Sequence, residues 1–167
     1  MARKLDRNAA GEPSAPSGSG YQQDVTRSLV RITSIWTSRD YQSAFARGAG
    51  VPDEPNALRA IFELAWHGPL RPTTLANRLD ISAPAVSRLL ETLARTGHVI
   101  RTPDPHDARA TRIELTEHGA QAAATLHQLG DALSRRVLDA WTDAERETFT
   151  RLLHRYADAV EHDARKP

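Results

Sequence analysis

Cysteine is absent from the 167 residues. That excludes disulfides, cysteine-based zinc sites and thiol redox sensing. No apolar run approaches the roughly 20 residues of a membrane span. The first twenty residues, MARKLDRNAAGEPSAPSGSG, lack the apolar core of a signal peptide. A soluble, cytoplasmic protein without membrane contact is the expectation. There is also no phosphate-cradling glycine loop, no nucleophile elbow and no clustered acid pair, so the sequence carries no enzyme signature. The seven histidines, at 67, 98, 106, 118, 127, 154 and 162, contain no i, i+4 pair, and neither a metal site nor a cofactor is expected.

What is present is an uneven charge distribution and a strong periodicity. The net charge is only +1. Residues 71–112 carry seven arginines against four acidic residues, whereas residues 113–167 carry seven basic against ten acidic ones. A basic middle and an acidic end imply one surface that meets polyanions and another that does not.

Residues 1–20 are rich in Gly, Ser, Pro and Ala and read as a disordered tail. Residues 21–53 read as an N-terminal helix. Val25, Leu29, Ile32 and Trp36 fall on one face, and the pattern continues less cleanly through Tyr41 and Phe45 to a stop at Gly48–Pro52. Residues 54–115 form the next block. A helix from about Glu54 to His67 is expected to bury Leu58, Ile61, Phe62 and Ala65. A short helix from Thr73 to Leu79 turns Leu75, Ala76 and Leu79 inward. After a tight turn at Asp80–Ser82, a helix N-capped by Ser82 runs to about Thr96 with Val86, Leu89, Leu90 and Leu93 inward and Gly97 as its cap. The period then changes to two. Val99–Arg101 and Thr111–Leu115 are strands, with a turn-rich tip from Pro103 to Arg109. Residues 116–167 are helical again. Thr116 caps a long helix whose stripe is Leu126, Leu129, Leu133, Val137 and Trp141, and Thr142–Asp143 opens a last helix.

The fold class is therefore mainly α with a small β-hairpin, in the order of a winged helix-turn-helix. The second helix of such a unit has the width of a major groove, and the hairpin beside it reaches the flanking backbone or minor groove. With the apolar positions facing inward, Ala83, Ala85, Ser87, Arg88 and Glu91 are left on other faces. The small residues at the helix start allow close approach to DNA. Arg88 can donate two hydrogen bonds to guanine, and Ser87 can reach a phosphate or a base. Arg71, Arg78, Arg95, Arg101 and Arg112 are candidate phosphate contacts or solubilising charge. Thr73 and Ser82, at the two helix starts, complete the candidate interface.

The stretch GPLRPTTLANRLDISAPAVSRLLETLARTGHVIRTPDPHDARATRIELTEHG, Gly68 to Gly119, resembles the MarR (multiple antibiotic resistance regulator) family. Its most specific part is Asp104-Pro105, then Asp107-x-Arg109, then Leu115-Thr116-Glu117-x-Gly119. The resemblance implies a repressor of transcription that binds double-stranded DNA at a pseudo-palindromic operator. It implies that Arg109 enters the minor groove and that Asp107 orients the wing through a salt bridge. It further implies a homodimer built from the helices of 21–53 and 116–167. A small-molecule effector would sit between that region and the DNA-binding lobe of 54–115, and Trp36, Tyr41 and Trp66 are candidate pocket walls, with ordinary core packing as the other reading. Three positions depart from the family pattern. Arg71 stands where a Thr or Ser cap is common, which shifts capping to Thr73. Asp80 stands where Gly is frequent, and Thr111 replaces a charged or apolar residue. A winged helix used for protein interaction stays open beside DNA binding, because the fold does not determine the function.

Overall fold

The computed structural model describes residues 20–164 and 166. The expected disordered tail lies outside these residues except for Gly20. Among the described residues, seven helices and one hairpin follow in the order α1 (Gly20–Trp36), α2 (Arg39–Ala49), α3 (Ala57–His67), α4 (Pro72–Leu79), α5 (Ala83–Arg95), β1 (Val99–Asp104), β2 (Asp107–Leu115), α6 (Glu117–Val137) and α7 (Asp143–Ala164). Two compact units are distinguished, one up to Gln42 and one from Ser43 onward.

In the first unit the sequence anticipates one continuous helix, but the chain breaks at Thr37–Ser38. Both hydroxyls turn back on the preceding turn. Thr37 Oγ1 donates to the Thr33 carbonyl (2.7 Å) and Ser38 Oγ to the Ile35 carbonyl (2.7 Å). Ser38 Oγ also accepts from the Tyr41 N–H (3.4 Å), so it serves the start of α2. This is the competition with the helical ladder that Ser and Thr offer. No residue of α1 is buried, and Val25, Ile32 and Trp36 on its apolar face are exposed.

In the second unit, α3 packs against α4 and α6. Its onset is Ala57 rather than Glu54, because Asn56 takes a left-handed conformation (φ 66°) that interrupts any earlier turn. Its buried face is Ala57, Ala60, Ile61 and Leu64. Only Ile61 of the expected stripe belongs to it. Leu58 is half-buried at the edge, Ala65 is exposed, and Phe62 lies edge-on to His127 at 5.6 Å between ring centres. The small side chains at 57 and 60 let α3 approach its neighbours closely, which turns the larger Phe62 outward.

Thr116 caps α6 as expected, its Oγ1 accepting from the Gly119 N–H (3.0 Å). The helix ends at Val137, so Trp141 is not the last step of its stripe. Trp141 instead stands edge-on to Phe149 of α7 at 5.3 Å. Arg146 causes that ending. Its Nε donates to the Leu138 carbonyl (3.1 Å) and its Nη2 to the Asp139 carbonyl (3.0 Å), satisfying acceptors that a continuing helix would have used. Thr142 and Glu145 open α7 with a reciprocal capping box. The Thr142 N–H donates to Glu145 Oε2 (2.8 Å), and the Glu145 N–H donates to Thr142 Oγ1 (3.3 Å). Among the described residues, no helix is long and apolar enough to cross a membrane.

One buried histidine joins three of these elements. His98 is buried, with Nε2 at 3.1 Å from the Gly50 carbonyl and Nδ1 at 2.9 Å from Thr96 Oγ1, and its ring lies 4.4 Å from that of His118. A carbonyl only accepts, so Nε2 carries the proton and Nδ1 accepts from the Thr96 hydroxyl. Burial first, and His118 second, pull its pKa below the ordinary 6.5, while the bond to the Gly50 carbonyl opposes them. The unfolded chain therefore binds the proton more readily than the native one. Above the unfolded pKa, His98 is neutral in both states and its contribution to stability is complete. As pH falls below about 6.5, that contribution is lost. The melting temperature is expected to drop between pH 7.5 and 5.5, and less so in His98→Gln. Equal drops in both proteins would assign the pH dependence to other groups.

Candidate nucleic-acid interface

The α4–α5 pair is built as its periodicity requires. Leu75, Ala76 and Leu79 of α4 and Val86, Leu89, Leu90 and Leu93 of α5 are buried against one another and the rest of the core. The turn between them hinges on Asp80, at φ 55° and ψ 49°. This left-handed conformation explains why Gly is a natural occupant there, and Asp is among the few side chains that tolerate it. It lets the Ile81 N–H bond the Ala76 carbonyl (3.1 Å) and close the end of α4.

The first helix does not start as the sequence suggests, and the second starts at the expected place without the expected cap bond. Arg71, not Thr73, occupies the N-cap of α4, and it makes no side-chain cap bond. Thr73 lies inside the first turn. Pro72 at the first helical position has no N–H to satisfy, which relaxes the need for a cap. Ser82 does hold the N-cap position of α5, but its hydroxyl makes no cap bond either. Its exposure leaves that hydroxyl, and the N–H groups behind it, facing solvent together with Ala83, Ser87, Arg88 and Glu91, while Ala85 is half-buried. At the other end, α5 is closed at Thr96, and Gly97 follows at φ +75°.

The wing is longer than the alternation of Val99–Arg101 and Thr111–Leu115 indicates. Pairing runs antiparallel from Val99↔Leu115 to Asp104↔Asp107, with an irregularity at Pro103/Asp104, and only Pro105 and His106 form the turn. Arg109 is thus on β2 near the tip, exposed, as are Arg101 of β1 and Arg88 of α5. Among the described residues, no ion pair engages the guanidinium of any of these three. The base of the wing is stitched to the segment before α4. The Ile113 N–H donates to the Leu70 carbonyl (2.7 Å) and the Leu70 N–H to the Ile113 carbonyl (3.1 Å).

Asp104 organises the tip. Its side chain has 0% exposure. Oδ1 accepts from the His106 N–H (2.9 Å), and Oδ2 accepts from Arg71 Nε (2.7 Å) and Arg112 Nε (3.2 Å). The His106 N–H and the Arg71 bond, with Arg112 after them, draw its pKa from 3.8 to about 2 against the opposing effect of burial. A depressed carboxylate stabilises the fold above its unfolded pKa, so this contribution is complete above about pH 4 and is lost toward pH 2. Arg71 Nη2 also lies 3.8 Å from Asp107 Oδ2. The salt bridge implied for Asp107 is directed at Arg71 and not at the Arg109 side chain. Asp107 faces Arg71, and its Oδ1 accepts from the Arg109 backbone N–H (3.1 Å). Position 71 to position 104 spans 33 residues, and no linear pattern links them. The one signal was the unusual Arg at a capping position.

Residues 50–110 match the model of the MarR family. Over that stretch, rather more than a third of its length, the chain is similar to the MarR family. The HTH-type transcriptional repressor YetL of Bacillus subtilis is 36% identical over 99 residues, which cover 58% of this chain and 57% of that protein. The multiple antibiotic resistance protein MarR of Escherichia coli is 33% identical over 85 residues, covering 50% and 59% respectively. The chain thus spans little more than half the length of the curated relatives it matches. A MarR family protein from Bacillus stearothermophilus superposes with a TM-score of 0.74 over 87% of this chain and 99% of that one; at 20% identity, this likeness concerns the fold. The winged helix-turn-helix is the unit formed by α4, α5, β1 and β2.

The three aromatic residues considered as pocket walls are placed as follows. Trp36 and Tyr41 belong to the first unit, Trp36 exposed and Tyr41 half-buried. Trp66 belongs to the second, on α3, and is 79% exposed.

Proposed function

We propose that this chain is a MarR-family, sequence-specific regulator of transcription that binds double-stranded DNA as a homodimer, and that it is not an enzyme. The observation that carries the reading is the pairing of two uncommitted arginines on one compact unit. Arg88 stands on the solvent face of α5 and Arg109 near the tip of the wing. In this reading α5 lies in the major groove, where Arg88 and Ser87 read base edges and Ser82, Ala83 and Ala85 let the backbone approach. Arg109 enters the minor groove, and Arg101 meets the backbone. A winged helix that serves protein contacts has no need of free arginines at both places.

The dimer is supported by apolar surface that the chain leaves uncovered. Phe149, Leu152, Leu153, Tyr156 and Val160 form an exposed stripe along α7, and α1 carries Val25, Ile32 and Trp36 in the same state. Soluble proteins rarely leave such patches bare, and a two-fold interface covers them. Light scattering at micromolar concentration is expected to give twice the 18.4 kDa chain mass. A clean monomer would remove the dimer from the reading. Repression is favoured because YetL is named a repressor. Release by a small aromatic molecule is the regulatory counterpart, and it requires that the molecule bind the DNA-free arrangement more tightly.

The test is titration of the full chain against the DNA upstream of its own gene. A specific site should bind with a dissociation constant of about 10⁻⁸ M or tighter at physiological salt, and footprinting should show two half-sites about 10 base pairs apart. Affinity no better than for random DNA would leave the protein-interaction reading.

A further inference from the structure

We infer that Arg71 is not a phosphate contact but a strut, anchored on buried Asp104, that sets the position of the wing relative to α4 and α5. The inference rests on the DNA-binding reading only for its consequence. Three observations support it. First, position 71 is free for such a role. It occupies the N-cap of α4 without capping it, and Pro72 removes one donor that would need a cap. Second, the anchor cannot dispense with it. Asp104 is fully enclosed and holds its charge through three donors, of which His106 N–H and Arg112 belong to the wing itself. Among the described residues, Arg71 alone ties this carboxylate to the helix side of the unit. A buried carboxylate that loses a cationic partner is strongly destabilised, so the wing is held wherever Arg71 holds Asp104. Third, the charges cancel. Arg71 and Arg112 face Asp104 and Asp107, leaving no surplus positive charge at that cluster to attract a phosphate.

The geometry makes this a second point of attachment. The Leu70–Ile113 bridge fixes the hairpin at the level of Arg101, which pairs with Ile113. Asp104 lies three residues further along β1, roughly 10 Å at the rise of a strand. A ribbon held at one point swings, whereas one held at two keeps its angle. The angle of the wing determines the separation between Arg109 and Arg88, and hence whether both reach their grooves together.

The test uses the full chain carrying Arg71→Ala, Arg71→Lys, Asp104→Asn and the double variant Arg71→Ala/Asp104→Asn. Amide hydrogen exchange of residues 106–112 is measured without DNA, and operator affinity is measured in parallel. The strut requires that each single variant speed exchange at the wing about tenfold and weaken operator binding by a similar factor. It also requires that the double variant be no weaker than either single one. Lysine, which keeps the charge but lacks the Nε fork, must behave like alanine. The idea is overturned if Arg71→Lys retains wild-type affinity and exchange, as a simple phosphate contact would, or if the two losses multiply. Should Asp104→Asn fail to fold, the exposed Arg71 variants decide the matter alone. If the wild-type chain binds no DNA, the functional reading falls, while the exchange measurement still decides whether Arg71 restrains the wing.

Discussion

Gly119→Ala is expected to lower the melting temperature by about 10 °C. Gly119 is buried in the first turn of α6. A Cβ there would overlap the His98 carbonyl oxygen and come within 3.1 Å of Leu115 Cδ2. The obstacle is backbone, so no rotamer change relieves it. That carbonyl cannot retreat without loss, because it accepts from the Thr116 N–H at 3.0 Å, and the Gly119 N–H in turn donates to Thr116 Oγ1. Relief would require α6 to lift away from the start of β1. Overpacking of this kind costs about 3 kcal/mol or more, and for a domain of this size 1 kcal/mol corresponds to roughly 2–4 °C. Thermal unfolding followed by circular dichroism reads the effect. A melting temperature within about 2 °C of wild type would mean that α6 docks more loosely than the structure has it.

Arg109→Ala is expected to weaken DNA binding about 10- to 100-fold at nearly every site, and to reduce the magnitude of the salt slope by about 0.9. A minor groove reports width and A·T content rather than full sequence, so the loss should be nearly uniform. Arg88→Ala should differ in kind. It should lose about 1–3 kcal/mol at the cognate operator and relax preference at one base position. Asp107→Ala removes a negative charge that DNA repels, yet it should still weaken binding. Asp107 holds Arg71 at 3.8 Å and accepts from the Arg109 N–H at 3.1 Å, so its loss loosens the strand segment that presents Arg109. Binding titrations at several salt concentrations separate the three variants. Tighter binding by Asp107→Ala would show that repulsion outweighs positioning, and the wing would then have a different role from the one proposed.

The features legible in the linear chain are those whose physical cause is local. The 3.6-residue spacing of Val86, Leu89, Leu90 and Leu93 decided which face of α5 is buried, and thereby left Ser87 and Arg88 to solvent. Thr116 had its acceptor three residues away, so its cap could be read directly. The change of period from 3.6 to two located the hairpin. By themselves, these patterns determined a mainly helical chain with a winged helix-turn-helix and a set of exposed candidate residues. Tertiary structure alone decided the rest, because the deciding groups are distant in sequence. The face that α3 buries depended on how closely Ala57 and Ala60 allow α4 and α6 to approach, which no moment of an isolated helix contains. The wing extends to Asp104 and Asp107 because ladder bonds and ion pairs outweigh the turn character of Pro103. Arg71 reads as one more surface cation until the fold brings it to 2.7 Å from a carboxylate that lies 33 residues away and is sealed from water. A charge is assigned its partner by enclosure and distance, and both exist only once the chain has folded.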